Sequence, residues 1–255
     1  VAHPVVAAGV RDYSDFQNRP WNRLVGTLDY VTLLIYGGRE AAVAGRRLRA
    51  LHKQFKGTRP DGQPYYALEP NAYAWVHATL IEAYVSGHEL FGRPMRPDQK
   101  ERFLREYLGL GRFIGVREGD LPDTWPEFRS YFEGMLDTEL AHTEQVDEVL
   151  KTVSHAQRPP LPIPDAIWRG IRIPARRALW LGGAGPMPPG LRRRLGVDWT
   201  TKDQRDLDRL GAFSRGLTPL MPRPLKTIGP MQLRMRRRGI ARGPLGAAGA
   251  PPRTQ

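Results

Sequence analysis

From residue 39 to residue 56, apolar side chains return at steps of three and four: Ala41, Ala44, Leu48, Leu51 and Phe55. That is the period of a helix with one buried face. Nowhere does the chain show a convincing alternation of period two, the mark of a half-buried strand, and it shows no internal repeat. Residues 20–36 run from Pro20 and Trp21 through Leu24, Leu28, Val31 and Leu34 to a Gly37-Gly38 stop, again a helix. The segment GTRPDGQPYYALEP is expected to be a loop by its Gly, Pro and Asp content. In the helix expected at 71–86, Tyr73, Val76, His77, Leu80 and Tyr84 share one side. GHELFGRPM breaks it, and Pro97 with Asp98 opens the next, through Phe103, Leu104, Tyr107 and Leu108. Helices are also expected at 126–150, 165–181 and 200–215, with the proline-rich SHAQRPPLPIPDA as a linker. The fold class is therefore all-α: one mostly helical domain over residues 1–220. A basic tail rich in Pro, Gly and Arg follows at 221–255, where no order is expected.

Composition removes several classes of function. The chain has no cysteine, which excludes disulfides, thiolate metal sites, iron–sulfur clusters and Cys nucleophiles. No run reaches the roughly 18 apolar residues of a membrane-spanning helix, and no secretory signal opens the sequence. A cytoplasmic location is the default expectation. The net charge of +13 is concentrated at one end. Of the 39 Lys and Arg, ten lie in residues 209–255, where there is no Asp or Glu. Residues 1–208 then carry 29 basic against 26 acidic groups, a balance of +3. Specific nucleic-acid binding needs a basic face on the folded domain, so none is expected. The tail is expected to touch anionic surfaces weakly.

Two histidines sit within helical faces, His52 in RALHKQFKG and His77 in YAWVHATL. Such a residue is either a hydrogen-bonded core histidine or a metal ligand. Around His52 the spacing is Arg49-x-x-His52-x-x-x-Lys56, which puts all three residues on one face if the helix continues. Cations one turn to either side of an imidazole suit a dianionic cofactor edge such as haem, with its propionates. They equally suit basic stems that reach out to water. Other motifs carry less. GLGRFIG at 109–115 has one residue too many between its last glycines for a dinucleotide fingerprint and follows a helix. No nucleophile elbow, zincin motif or P-loop occurs. His142 and Glu144 are expected to be a surface pair, and His88 and His155 to lie in loops.

Five blocks, in this order and spacing, resemble the catalytic domain family of MpaB oxygenases and rubber oxygenases (latex clearing proteins). They are AHPVVAAGVRDYSDF, RPWNRLVGTLDYVTLLIYG, the run from RRLRALHKQFKG to YAWVHATLIEAY, GRPMRPDQKERFLREYLGLGRFIGV and DLPDTWPEFRSYFEGML. The resemblance covers roughly residues 1–220. It implies an all-helical domain with b-type haem in a pocket between helices. The family's Arg-x-x-His-x-x-x-Arg motif, which supplies the proximal histidine, falls on Arg49, His52 and Lys56, with lysine in place of the last arginine. An upstream Arg-x-x-x-Thr placed near the haem matches Arg23 and Thr27. The rubber enzymes' distal lysine is replaced by Gly26, and no acidic residue occurs in 1–11, where those enzymes carry a candidate base. In the relatives a helix-forming segment precedes AHPVVAAGV, so a chain beginning at Val1 is expected to be either a fragment or the product of an alternative start, and the resemblance then implies an incomplete haem pocket if that helix is missing.

The resemblance implies a haem-b-dependent oxygenase that uses dioxygen on an apolar, unsaturated, isoprenoid-like substrate. His52 is then the iron ligand. Arg49, Lys56 and Arg23 compensate the propionates, and Thr27 and His77 lie on the distal or substrate side. Three alternatives stay open. One is a haem-binding carrier or sensor without turnover. A second is a non-haem iron protein using His52, His77 and a carboxylate such as Glu82 or Asp29. The third is a membrane-surface or partner-binding protein, since Trp168, Ile171, Ile173, Leu179 and Trp180 interleave with Arg169, Arg172, Arg176 and Arg177. The irregular prolines there are expected to spoil the helical period and leave lipid binding weak or absent.

Overall fold

A computed structural model of the protein describes residues 1–155, 157–159 and 163–222. Apart from Met221 and Pro222, the tail at 221–255, where no order is expected, falls outside those residues. The described chain is all-α: ten helices and one two-stranded hairpin. The helices are α1 (Pro4–Tyr13), α2 (Pro20–Tyr36), α3 (Arg39–His52), α4 (Pro70–Phe91), α5 (Pro97–Ile114), α6 (Trp125–Thr138), α7 (Glu144–Ser154), α8 (Asp165–Ala184), α9 (Pro189–Arg194) and α10 (Thr201–Leu217). Six of them carry proline in the first turn after an extended cap residue or bend, where the missing N–H costs nothing.

The core is one apolar cluster shared by α2 to α6. Ile81 of α4, Leu104 of α5 and Phe128 of α6 are fully buried, each contributing about 2–3 kcal/mol of transfer free energy. Trp75 packs on Phe132 with ring centroids 4.9 Å apart. α3 reaches this core through small residues. A methyl group on Gly45 would stand 2.1 Å from the Phe113 carbonyl oxygen, so α3 and α5 touch backbone to backbone there. A smaller cluster of Val5, Ala8, Tyr65 and Ala72 joins α1 to the start of α4.

Several expectations are corrected. The helix expected over 39–56 stops at His52: Lys53 and Gln54 turn the chain, and Lys56 opens a strand. The expected loop at 57–70 contains a hairpin, β1 (Lys56–Thr58) paired antiparallel with β2 (Pro64–Tyr66). Its strands are three residues long, too short for alternation to register in sequence. The helix expected at 126–150 is two, α6 and α7, broken by LAHT, where Thr143 caps α7 through Val146 N–H. α4 continues to Phe91, so His88 lies in its last turn rather than in a loop. Val76 is exposed and lies off the buried side of α4. α8 runs on through Pro174 to Ala184, and α1 and α9 carry no sequence expectation.

Candidate functional site

The C-terminus of α5 organises the site. Gly115 has φ 95°, a left-handed conformation that only glycine adopts without strain. Val116 N–H bonds to the Gly111 carbonyl at 3.0 Å and Gly115 N–H to that of Arg112 at 3.2 Å, a Schellman terminus. The last two carbonyls are then taken by other helices. Tyr73 of α4 donates its hydroxyl to Ile114 O at 2.9 Å. Arg49 of α3 donates Nη1–H to Gly115 O at 3.1 Å. A Cβ on Gly115 would collide with that guanidinium.

His52 sits beside this knot as the last residue of α3. Its ring meets Tyr73 edge-on at 5.8 Å and Phe55 at 5.4 Å. Phe55 is in turn stacked on Tyr13 at 4.2 Å, and Tyr13 donates its hydroxyl to the Lys56 carbonyl at 3.0 Å. The turn after α3 is thus pinned from α1. His52 Nδ1 is buried with no hydrogen-bond partner, and no hydrogen bond to a described residue engages Nε2.

Two effects compete for its charge. A helix C-terminus favours an imidazolium by about 0.3–1 kcal/mol. Burial, helped by the positive charge of Arg23, opposes it and lowers the pKa to about 4. Measured from the ordinary 6.5, that is roughly 3 kcal/mol, so the neutral form wins.

The expected residues divide into two groups. Arg23, Arg49 and His52 come together from α2 and α3. Lys56 does not join them on one helix face, because α3 has ended: it is the exposed first residue of β1. Thr27 is exposed and donates its hydroxyl to the Arg23 carbonyl at 3.0 Å, within its own helix. His77 lies one turn beyond Tyr73 on α4 and turns to a different partner. It is 2% exposed and stands 3.0 Å from the Tyr107 carbonyl through Nε2, which must therefore carry the proton. Its ring packs on Tyr107 at 5.0 Å. Burial lowers its pKa against the opposing effect of that hydrogen bond. His77 is a neutral core histidine joining α4 to α5.

Two neighbours were missed as site residues. Tyr73 reads in sequence only as part of an apolar side, although it stands four residues before His77. The Tyr30 hydroxyl of α2 is buried without a partner, and burial pushes its pKa up. Nothing in the sequence singles it out. On the outer side of α2, Leu24 and Leu28 are 44% and 50% exposed and make an apolar strip next to Arg23.

The alternative ligand set is not assembled. Among the described residues no group of three His, Asp or Glu could hold a metal ion, and Glu82 is engaged by Arg129 at 2.7 Å. His142 bonds Asp147 at 2.9 Å on the surface rather than pairing with Glu144. No helix of the described residues is long and apolar enough to cross a membrane.

No curated protein and no solved structure matches the chain. One family model does, that of the catalytic domain of ER-bound oxygenase mpaB/B′ and rubber oxygenase, over residues 1–216. The match takes in every element from α1 to the last turn of α10, His52 and its neighbours included. The chain belongs to the MpaB/rubber oxygenase catalytic domain family, which is named for oxygenase activity.

Proposed function

We propose that the protein is a haem-b-dependent oxygenase acting on an apolar, unsaturated substrate, with His52 as the iron ligand. The observation that carries this reading is the state of His52. Burial holds it neutral, its ring stands edge-on to Tyr73 and Phe55, and among the described residues neither nitrogen has a hydrogen-bond partner, Nδ1 being buried. An axial imidazole must offer an unprotonated nitrogen; His77 Nδ1 is likewise buried without a partner, and the positive charge of Arg23 beside His52, which a propionate would answer, is what favours His52.

Haem b supplies the oxygen chemistry when bound. The rest falls to side chains of this chain. His52 holds a lone pair in place. Arg23 offers positive charge to the propionates. The nitrogens of Arg49 not engaged by Gly115 can do the same. Leu24 and Leu28 give an apolar surface beside Arg23 on which an unsaturated substrate can lie. The Thr27 proton is held by the Arg23 carbonyl, which leaves the hydroxyl oxygen as an acceptor.

Gly26, at the position of the rubber enzymes' distal lysine, favours a second reading: a haem carrier or sensor without turnover. One experiment addresses both. Hemin is added to the purified protein and to His52→Ala, and visible spectra are taken before and after dithionite. The oxygenase reading expects a Soret band that shifts on reduction and is lost or displaced in His52→Ala. Oxygen uptake on adding unsaturated apolar substrates is expected to follow. A Soret band with a stable oxygenated form and no substrate-dependent decay selects the carrier. No Soret band in folded protein overturns both.

A further inference from the structure

The two histidines singled out by sequence are oriented in different ways. His77 donates from Nε2 to the Tyr107 carbonyl at 3.0 Å, so a hydrogen bond fixes the plane of its ring. His52 has no such bond. Its Nδ1 is closed off from solvent, and no polar group of the described residues meets it. Nε2 has no partner either, but it is not closed off.

Two aromatic rings stand where that bond would be. Tyr73 crosses the imidazole at 81° with centroids 5.8 Å apart, and Phe55 crosses it at 64° and 5.4 Å. Both separations lie in the range where ring edges and faces attract. Turning the imidazole about its Cβ–Cγ bond disturbs both contacts at once. Each wall is anchored outside α3. Tyr73, on α4, donates its hydroxyl to Ile114 O of α5 at 2.9 Å. Phe55 N–H donates to the His52 carbonyl at 3.0 Å, which folds the residue back beside the histidine. The Phe55 ring is then stacked on Tyr13 of α1, 4.2 Å away and 16° from parallel.

A metal-bound imidazole nearly always donates its second ring N–H to a carboxylate, a carbonyl or water, which orients the ring and raises its basicity. His52 is built without that partner. We propose that Tyr73 and Phe55 are positioning residues for His52. Their rings fix the plane of the imidazole, leave Nε2 as the nitrogen open to iron, and keep Nδ1–H without an acceptor. This rests on His52 being the haem ligand. An imidazole held in this way is a weaker electron donor than a hydrogen-bonded one, so iron bound to it is more easily reduced.

The test uses the full chain loaded with hemin. It reads hemin affinity, the midpoint potential of the iron, and the iron–histidine stretching band of the ferrous form by resonance Raman. Tyr73→Leu, Phe55→Leu and Tyr73→Phe are compared with the wild type. Either leucine opens Nδ1 to water, which supplies the missing acceptor. Both leucine variants are therefore expected to lower the potential, raise the stretching frequency and weaken hemin binding roughly tenfold to a hundredfold. Tyr73→Phe keeps the ring and loses only the bond to Ile114. It is expected to keep the wild-type potential and band while its urea midpoint falls. Loss of packing alone would lower the midpoint in all three and leave the potential where it was. Circular dichroism checks that each variant folds; the two leucines lie on different elements, so either one carries the test. The proposal is overturned if the leucine variants keep the wild-type potential and band, or if Tyr73→Phe shifts them as far as Tyr73→Leu does. Those results leave the haem reading standing, provided that His52→Ala loses the Soret band. A wild type with no Soret band overturns the haem reading and this proposal with it.

Discussion

At the scale of single residues, His52 has the clearest consequence. Its pKa is lowered from 6.5 to about 4, so the folded state binds fewer protons than the unfolded chain between those values. Stability contributed by the neutral ring is complete above the unfolded pKa and falls as pH drops from 6.5 to 4. Urea unfolding of the cofactor-free protein is expected to show this: wild type loses roughly 3 kcal/mol more across that window than His52→Asn, which has no proton to take up. Equal losses would mean that His52 is hydrated and ordinary. Much of this residue was legible in advance. A histidine beside an apolar stripe, flanked by cations, names itself as a candidate. What could not be read was the role of Arg49, whose Nη1 closes the end of α5 sixty-six residues away. Sequence spacing reports neighbours on a helix and is silent about carbonyls that another helix leaves unpaired.

At the scale of elements, the contact between α3 and α5 depends on a missing side chain. The Phe113 carbonyl oxygen would lie 2.1 Å from a Cβ on Gly45, and neither backbone can retreat without dismantling its own helix. Gly45→Val is therefore expected to force the helices apart and cost at least 2 to about 4 kcal/mol, read as a fall in urea midpoint. It should also shift the near-ultraviolet signal of the tyrosines around His52. An unchanged midpoint would show that the helices have slack. The helices themselves were largely legible, because apolar period and proline entry are local properties. The errors were local too. A heptad-like run carried 39–56 past its end, since Phe55 falls in register with the stripe but packs on Tyr13 of α1 instead. The hairpin escaped because its pairing, Lys56 with Tyr66 and Thr58 with Pro64, spans a turn rich in Gly and Pro that reads as loop.

At the scale of the whole molecule, one core serves five helices, and Phe128 of α6 is buried within the cluster that also holds Tyr30, Trp75 and Ile114. Phe128→Ala is expected to cost about 3–5 kcal/mol. Far-ultraviolet dichroism and tryptophan fluorescence should report the same shifted urea midpoint. Separate midpoints would divide the core into independent units. The family was legible at this scale from the order of five sequence blocks. The exposure of the first half of α8 was not, because exposure on a helix is decided by what fails to pack on it. The double grip on the end of α5 has a consequence for motion. A helix end whose last carbonyls face water frays on its own. Here Ile114 is held from α4 and Gly115 from α3, so fraying of this end must break a bond to each of two other helices. The loop that follows Gly115 is thereby moored to two neighbours of His52, Arg49 on its own helix and Tyr73 edge-on to its ring.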